Sequence, residues 1–167
     1  KRQGRGVAKN TTLRINNVPI FYLPVLDFPI DHRRATGFLL PRLGANSNAL
    51  QLTLPYYLNL APNYDATLSP TIYNNKNPRL AGEFRYLNPF GFGVIDAAFL
   101  PNDKTYGNKK RGHLTLKHHS DFFDHNLQIN ANYAYVSDNR YVADFNQTTF
   151  SNTPLNLPRN INLHYRD

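Results

Sequence analysis

Strict two-residue alternation governs this chain. From Leu127 to Tyr135 the residues Leu127, Ile129, Ala131, Tyr133 and Tyr135 are apolar or aromatic, while Gln128, Asn130 and Asn132 between them are polar. A side-chain period of two belongs to a β-strand with two unlike faces; a helix would repeat every 3.6 residues. The pattern recurs at Leu50, Leu52 and Leu54 against Gln51 and Thr53, and at Leu80, Gly82, Phe84 and Tyr86 against Ala81, Glu83 and Arg85. It returns at Ile161, Leu163 and Tyr165 against Asn162, His164 and Arg166, with weaker versions over Ala66 to Tyr73 and His113 to Lys117. Glu83 is the only glutamate, whereas Asn occurs 22 times, Tyr 11 and Phe 11, a stock poor in helix formers and rich in turn and strand formers. The fold class expected is all-β.

Eight antiparallel strands are expected near 36–43, 49–60, 64–74, 79–88, 91–100, 112–121, 126–136 and 157–166. Most have the roughly 9 to 11 residues with which a tilted strand crosses a bilayer. The connections Ala61 to Tyr64, Asn88 to Gly91 and Phe122 to His125 are tight, whereas Pro101 to Arg111 and Asp138 to Pro154 are long and polar. Membrane barrels show that asymmetry, with short turns at one rim and long loops at the other. A soluble sandwich would also alternate, but the polar face here is built from Gln, Asn, Thr, Arg, Glu and His, which suits a wet lumen. Tyr56, Tyr57, Tyr86 and Tyr135 lie near strand ends, where an aromatic girdle would meet lipid headgroups.

Residues 1–35 read differently. TLRINNVPIFYLPVLDFPI is apolar and carries Pro19, Pro24 and Pro29, which suits an edge strand or an extended connector ending a preceding β-domain. The chain has no cysteine, so disulfides, thiolate chemistry and Cys-ligated zinc are excluded within it. No apolar run approaches the ~18 residues of a membrane helix.

The chemistry-bearing groups do not assemble a catalytic centre. His118, His119, Asp121, Asp124 and His125 are the only cluster of metal-ligand types, but neighbours on a strand point to opposite faces. They read as solvated residues at a strand end, and no metal or cofactor is expected. Glu83 and Arg85 are expected to pair on the polar face, with no second carboxylate nearby for acid–base work. Lys109, Lys110 and Arg111 fall in a long loop, as solvated charge able to meet phosphate groups. The net charge of +8 is spread over loops and polar-face positions, not gathered on one face, so no nucleic-acid partner is expected.

Prolines inside strands are the larger anomaly. Pro41 in GFLLPR and Pro55 in QLTLPYY fall in the first and second expected strands, and each removes a ladder donor. In a closed barrel the first strand also pairs with the last, so these prolines would weaken the closing seam.

The stretches VPIFYLPVLDFPIDHRRATGFLLP, LPYYLNLAPNYDATLSP, GEFRYL and YVSDNRYVADF closely resemble the LptD family, which assembles lipopolysaccharide in Gram-negative outer membranes. The likeness runs from about Thr12 to the end and is densest between Val18 and Leu87. It implies the end of a periplasmic β-jellyroll and its hinge over 1–35, followed over 36–167 by the N-terminal strands of a large outer-membrane β-barrel. By the resemblance, lipopolysaccharide leaves through a lateral gate weakened at Pro41 and Pro55, with Phe21, Tyr22, Leu26, Phe28, Phe38 and Leu40 along a lipid path at the hinge. The partners it implies are lipopolysaccharide, the plug lipoprotein LptE, the jellyroll bridge protein LptA through the missing N-terminal part, and the outer membrane itself. No enzymatic role is implied. The family's cysteines that link jellyroll to barrel have no counterpart here. The alternative is a complete small eight-stranded outer-membrane barrel with an adhesin or structural role. Against it, Arg166 and Asp167 read as mid-strand, so a segment of a longer protein is expected.

Overall fold

The computed structural model describes residues 4–15, 17–29, 34–46, 49–124, 126–145 and 156–166. Strands β1 (Arg5–Ile15) and β2 (Val18–Pro29) form an antiparallel hairpin, from Arg5 opposite Pro29 to Ile15 opposite Val18. Asn17 closes its turn with φ of 65°, a left-handed conformation that asparagine tolerates. Only the second of these strands is legible in the sequence, because the first is too rich in Lys, Asn and Thr to alternate cleanly. Among the described residues one edge of β2 has no strand beside it, and an edge is where a strand carrying three prolines can survive.

The rest of the described chain builds one ten-stranded antiparallel sheet. Its strands are β3 (Gly37–Phe38), β4 (Arg42–Asn46), β5 (Ala49–Thr53), β6 (Tyr56–Ala61), β7 (Tyr64–Tyr73), β8 (Arg79–Asn88), β9 (Gly91–Asp103), β10 (Lys109–Phe122), β11 (Leu127–Val136) and β12 (Arg159–Tyr165). Because β4 pairs with β5, β3 with β6, and both β5 and β6 with β7, the ten strands lie in eight rows. Those rows are the eight expected segments, each following its predecessor as a meander. β3–β4 and β12 are the edges of the sheet among the described residues. The fifth and sixth rows run longer than expected, so their connection shrinks to 104–108, closed by left-handed Gly107 and Asn108.

Register shows how the two faces differ. Leu68, Gly82, Ala97, Leu114 and Tyr135 line up across β7 to β11 on one face, and Leu80, Phe99, Ile72, Tyr133, Ile161 and Leu163 belong to the same side. Apart from the small Gly82 and Ala97, these side chains are exposed. The opposite face carries Asp65, Ser69, Thr71, Arg79, Asp96, Arg111, His113 and Thr115, all buried. This is the reverse of a water-soluble sheet. Burying one Leu- or Phe-sized side chain is worth about 1.5–3 kcal/mol, so an exposed apolar face this large requires an apolar surrounding. No helix among the described residues is long and apolar enough to cross a membrane.

One short helix, α1 (Tyr141–Phe145), interrupts the connection between β11 and β12. That connection was expected to be wholly polar loop. Instead Tyr141 and Phe145 turn onto the polar face and join Tyr73 and Leu100 in a small hydrophobic cluster, with Val136 against it. The two aromatics in RYVADF are too few to announce a helix, and only the cluster holds it. Residues 146–155 lie outside the described ones.

Candidate functional site

The first two rows are broken at the same height. Between the pairs Phe38–Tyr56 and Arg42–Thr53, the three residues Leu39, Leu40 and Pro41 face only Leu54 and Pro55, so the register slips by one. Antiparallel partners normally exchange two hydrogen bonds. Here the Leu39 N–H donates to the Pro55 carbonyl at 2.9 Å, and Pro55 has no N–H to return. The next ladder repeats the defect: the Leu54 N–H donates to the Pro70 carbonyl at 3.0 Å, and Pro70 returns nothing. Pro41 lies in the register slip itself, so three prolines stand on three adjacent rows at this height. At roughly 0.5–1.5 kcal/mol per net hydrogen bond, the two missing return bonds amount to about 1–3 kcal/mol concentrated at one level of the sheet. Pro70 was missed by sequence reasoning, although LSPTI shows it inside an alternating run.

Pro55 is buried, whereas Leu40 beside Pro41 is 80% exposed, the most open large hydrophobic among the described residues. Phe38 packs edge-on against Tyr56 at 4.9 Å across the first ladder. On the hairpin, Tyr22, Leu26 and Phe28 share one face of β2; Tyr22 is exposed and the other two are half-buried. The side chain of Phe21 lies outside the described ones.

The polar face is organised by two ionic hubs. Asp65 in β7 accepts both bonds of a bidentate pair from Arg85 in β8, at 2.7 Å each, and a third at 2.7 Å from Arg34 in the segment leading into β3. Tyr57 of β6 donates to the same carboxylate at 3.1 Å. Arg34 also reaches the Tyr57 hydroxyl and the Pro62 carbonyl, at 2.9 and 2.6 Å. A cavity of about 270 Å³ opens beside Arg34, Asp65 and Arg85. The expected Glu83–Arg85 pair exists but is the weaker partner, at 3.7 Å. Tyr57 therefore faces inward and leaves the expected girdle. Tyr86 lies on the exposed apolar face, stacked between Phe84 and His118.

The second hub lies at the opposite rim. Arg111, 1% exposed, binds Asp103 at 2.7 Å, Asp138 through two bonds at 2.9 Å, and Asp144 at 2.8 Å. It is not the solvated loop residue expected, because β10 begins at Lys109 and carries Arg111 inward. Below it, His113 bridges Asp96 and the Tyr141 hydroxyl. Three carboxylates around one guanidinium thus pin residues 138–144 to the sheet. Of the expected ligand-type cluster, His118 faces outward and bonds Tyr86 at 2.6 Å, while His119 faces inward and bonds Asn130 and Asp121. His125 lies outside the described residues.

An antiparallel meander with apolar side chains outward, ion pairs inward and tight turns at one rim belongs to the class of proteins whose β-sheets face lipid. Residues 7–164 match the model of the LptD protein family, and the chain belongs to that family. It is 51% identical over 165 residues to the LPS-assembly protein LptD of Psychrobacter cryohalolentis, covering 97% of this chain and 16% of that protein. It is 45% identical to the LptD of Acinetobacter baylyi, covering 98% of this chain and 20% of that protein. The LptD of Legionella pneumophila strain Lens is 38% identical, with 98% and 21% covered. The chain thus spans about a fifth or less of the length of these relatives.

Proposed function

We propose that this chain is the part of an outer-membrane lipopolysaccharide-assembly translocon in which the lipid leaves the barrel sideways. Residues 1–35 are the end of a periplasmic jellyroll with its hinge, and residues 36–167 are the first strands of the barrel. The rows β3–β4 and β5–β6 form one side of a lateral gate, with Pro41 and Pro55, and Pro70 behind them, keeping the ladders there weak. The observation that carries this reading is the pair of one-sided contacts, Leu39 to Pro55 and Leu54 to Pro70. They lie at the edge rows of an otherwise continuous sheet. Apolar chains pass along Phe38 and Leu40 into the bilayer, while the sugars stay with the polar face. The hinge residues Tyr22, Leu26 and Phe28, with Phe21, hand the lipid from one domain to the other. LptE is the plug of the whole barrel, and LptA is the bridge to the parent's N-terminal domain. The work is conduction by differential solvation and not catalysis, with energy supplied from outside this chain.

In-cell photocrosslinking in the full-length parent tests this. A photoreactive residue at Leu40 is expected to give strong lipopolysaccharide adducts that vanish when transport is blocked. Leu116, on the apolar face of β10 and remote from the break, is expected to give little. Equal labelling at both positions would remove the gate.

A further inference from the structure

The Lys109–Arg111 run divides in the fold. Arg111 turns inward, and Lys109 and Lys110 stay exposed at the rim. That rim carries the connections 74–78 and 104–108 and residues 137–145, because alternate turns of a meander share one end. Its acids are Asp103, Asp138 and Asp144. All three are held by Arg111, and Asp103 also lies 3.8 Å from Lys76. These three carboxylates outnumber the Arg111 and Lys76 that hold them by one charge, and the four exposed cations Lys104, Lys109, Lys110 and Arg140 outnumber that remainder by three.

These cations are gathered as well as numerous. Lys109 and Arg140 each stand 5.8 Å from the centre of the Tyr106 ring, and Arg111 stands 4.3 Å from it. A ring collects cations through its negative face, but cations so collected repel one another and strengthen the local field for an anion. The opposite rim is balanced: Arg34, Arg85 and Arg166 stand there against Asp65, Asp121 and Asp124. The surplus of positive charge is therefore one-sided.

We propose that this rim binds the phosphate groups of a glycolipid headgroup, with Lys104, Lys109, Lys110 and Arg140 as the phosphate contacts and Tyr106 as the ring that gathers Lys109 and Arg140. The glycolipid assignment rests on the function proposed above; the phosphate assignment rests on the charge. Lysines suit this task, since an ammonium on a flexible stem meets phosphate as a point charge without demanding one geometry.

The test places a photoreactive residue at exposed Asn139, beside Arg140, in the full-length parent in phosphatidylcholine nanodiscs. A second sample carries it at Leu40. The probe is a diphosphorylated glucosamine-disaccharide lipid, compared with the same lipid stripped of phosphate. Adducts at Asn139 are expected to fall at least about tenfold with the stripped lipid, and equally in Lys104→Gln/Lys109→Gln/Lys110→Gln/Arg140→Gln, whose exposed positions leave the fold intact. Leu40 adducts are expected to persist in that variant. Millimolar inorganic phosphate is expected to leave the Asn139 adduct in place, and full displacement would reassign the site to free phosphate. Unchanged Asn139 adducts with the stripped lipid or in the variant would overturn the proposal. Loss of Leu40 adducts alone would instead strike the gate and leave the rim standing.

Discussion

Replacing Arg111 by methionine keeps most of the volume and removes the charge on which three carboxylates converge. Asp103 then retains Lys76 at 3.8 Å and two bonds from Thr105, at 2.9 Å from its N–H and 2.6 Å from its hydroxyl. Its side chain is fully shielded from solvent, so the remaining negative charge is poorly compensated. Removing one partner of a buried ion pair costs about 3–5 kcal/mol, and the stacking of Arg111 over Tyr106 adds about 0.5–1 kcal/mol more. The cost falls on the contact between residues 138–144 and the sheet, because those residues are held from outside the strand ladders. At 1.4 kcal/mol per factor of ten, backbone amide exchange over 137–145 is expected to accelerate by roughly two orders of magnitude or more. Hydrogen exchange read by mass spectrometry on the full-length protein in nanodiscs measures it, with the β8–β9 peptides as internal reference. The double variant Arg111→Met/Asp103→Asn removes the stranded charge and is expected to recover about tenfold of the lost protection. Unchanged exchange in the single variant, or a double variant no better protected, would refute the reasoning.

Gly93 lies under the Tyr86 ring: a Cβ there would meet the Tyr86 hydroxyl oxygen at 2.4 Å, whereas at Gly82 it would meet a Leu68 methyl at 3.4 Å. Gly93→Ala is thus expected to displace Tyr86 from His118 and cost about 1–3 kcal/mol in urea unfolding, with Gly82→Ala costing less. Burial pushes the Asp138 carboxyl up, but hydrogen bonds from Arg111 and Ser137 outweigh it and hold it below the usual carboxylate range. A depressed carboxylate stabilises the fold above its unfolded pKa of about 3.9 and loses that contribution as pH falls through the lower folded value. Exchange over 137–145, corrected for intrinsic rates, is therefore expected to rise on acidification below that range and to stay flat above it.

The eight rows were legible because each strand has one apolar and one polar face, and a period of two survives even when strands shift by a residue or two. The direction of the faces was legible for the same reason: Gln128, Asn130 and Asn132 are too polar for a dry interior. What escaped was whatever depends on distant partners. Glu83 is two residues from Arg85, so local reading paired them, but Asp65 on the neighbouring strand takes both strong bonds. Arg111 looked like loop charge because its acids stand 8, 27 and 33 residues away. Tyr57 looked like girdle because adjacency to Tyr56 cannot say which of two neighbours faces lipid. Pro70 was passed over because a proline in a third strand has meaning only once Leu54 is seen opposite it.

The distribution of strong and weak contacts has a mechanical consequence. The ion pairs concentrate on β7 to β10, where Asp65–Arg85 spans one ladder and Arg111–Asp103 another. The proline defects concentrate on β3 to β7, at one level. Below that level the first row is tied down: Arg34 holds Asp65, the Asn59 amide donates to the Arg34 carbonyl at 2.9 Å, and the Asn59 N–H donates to the Thr36 hydroxyl at 2.9 Å. A strand fixed at its root and deprived of donors a few residues higher bends at the defect in preference to detaching. Opening at Leu39–Pro41 would then widen the edge of the sheet without releasing the chain that enters it, and the ion-paired rows behind would keep their register while it does so.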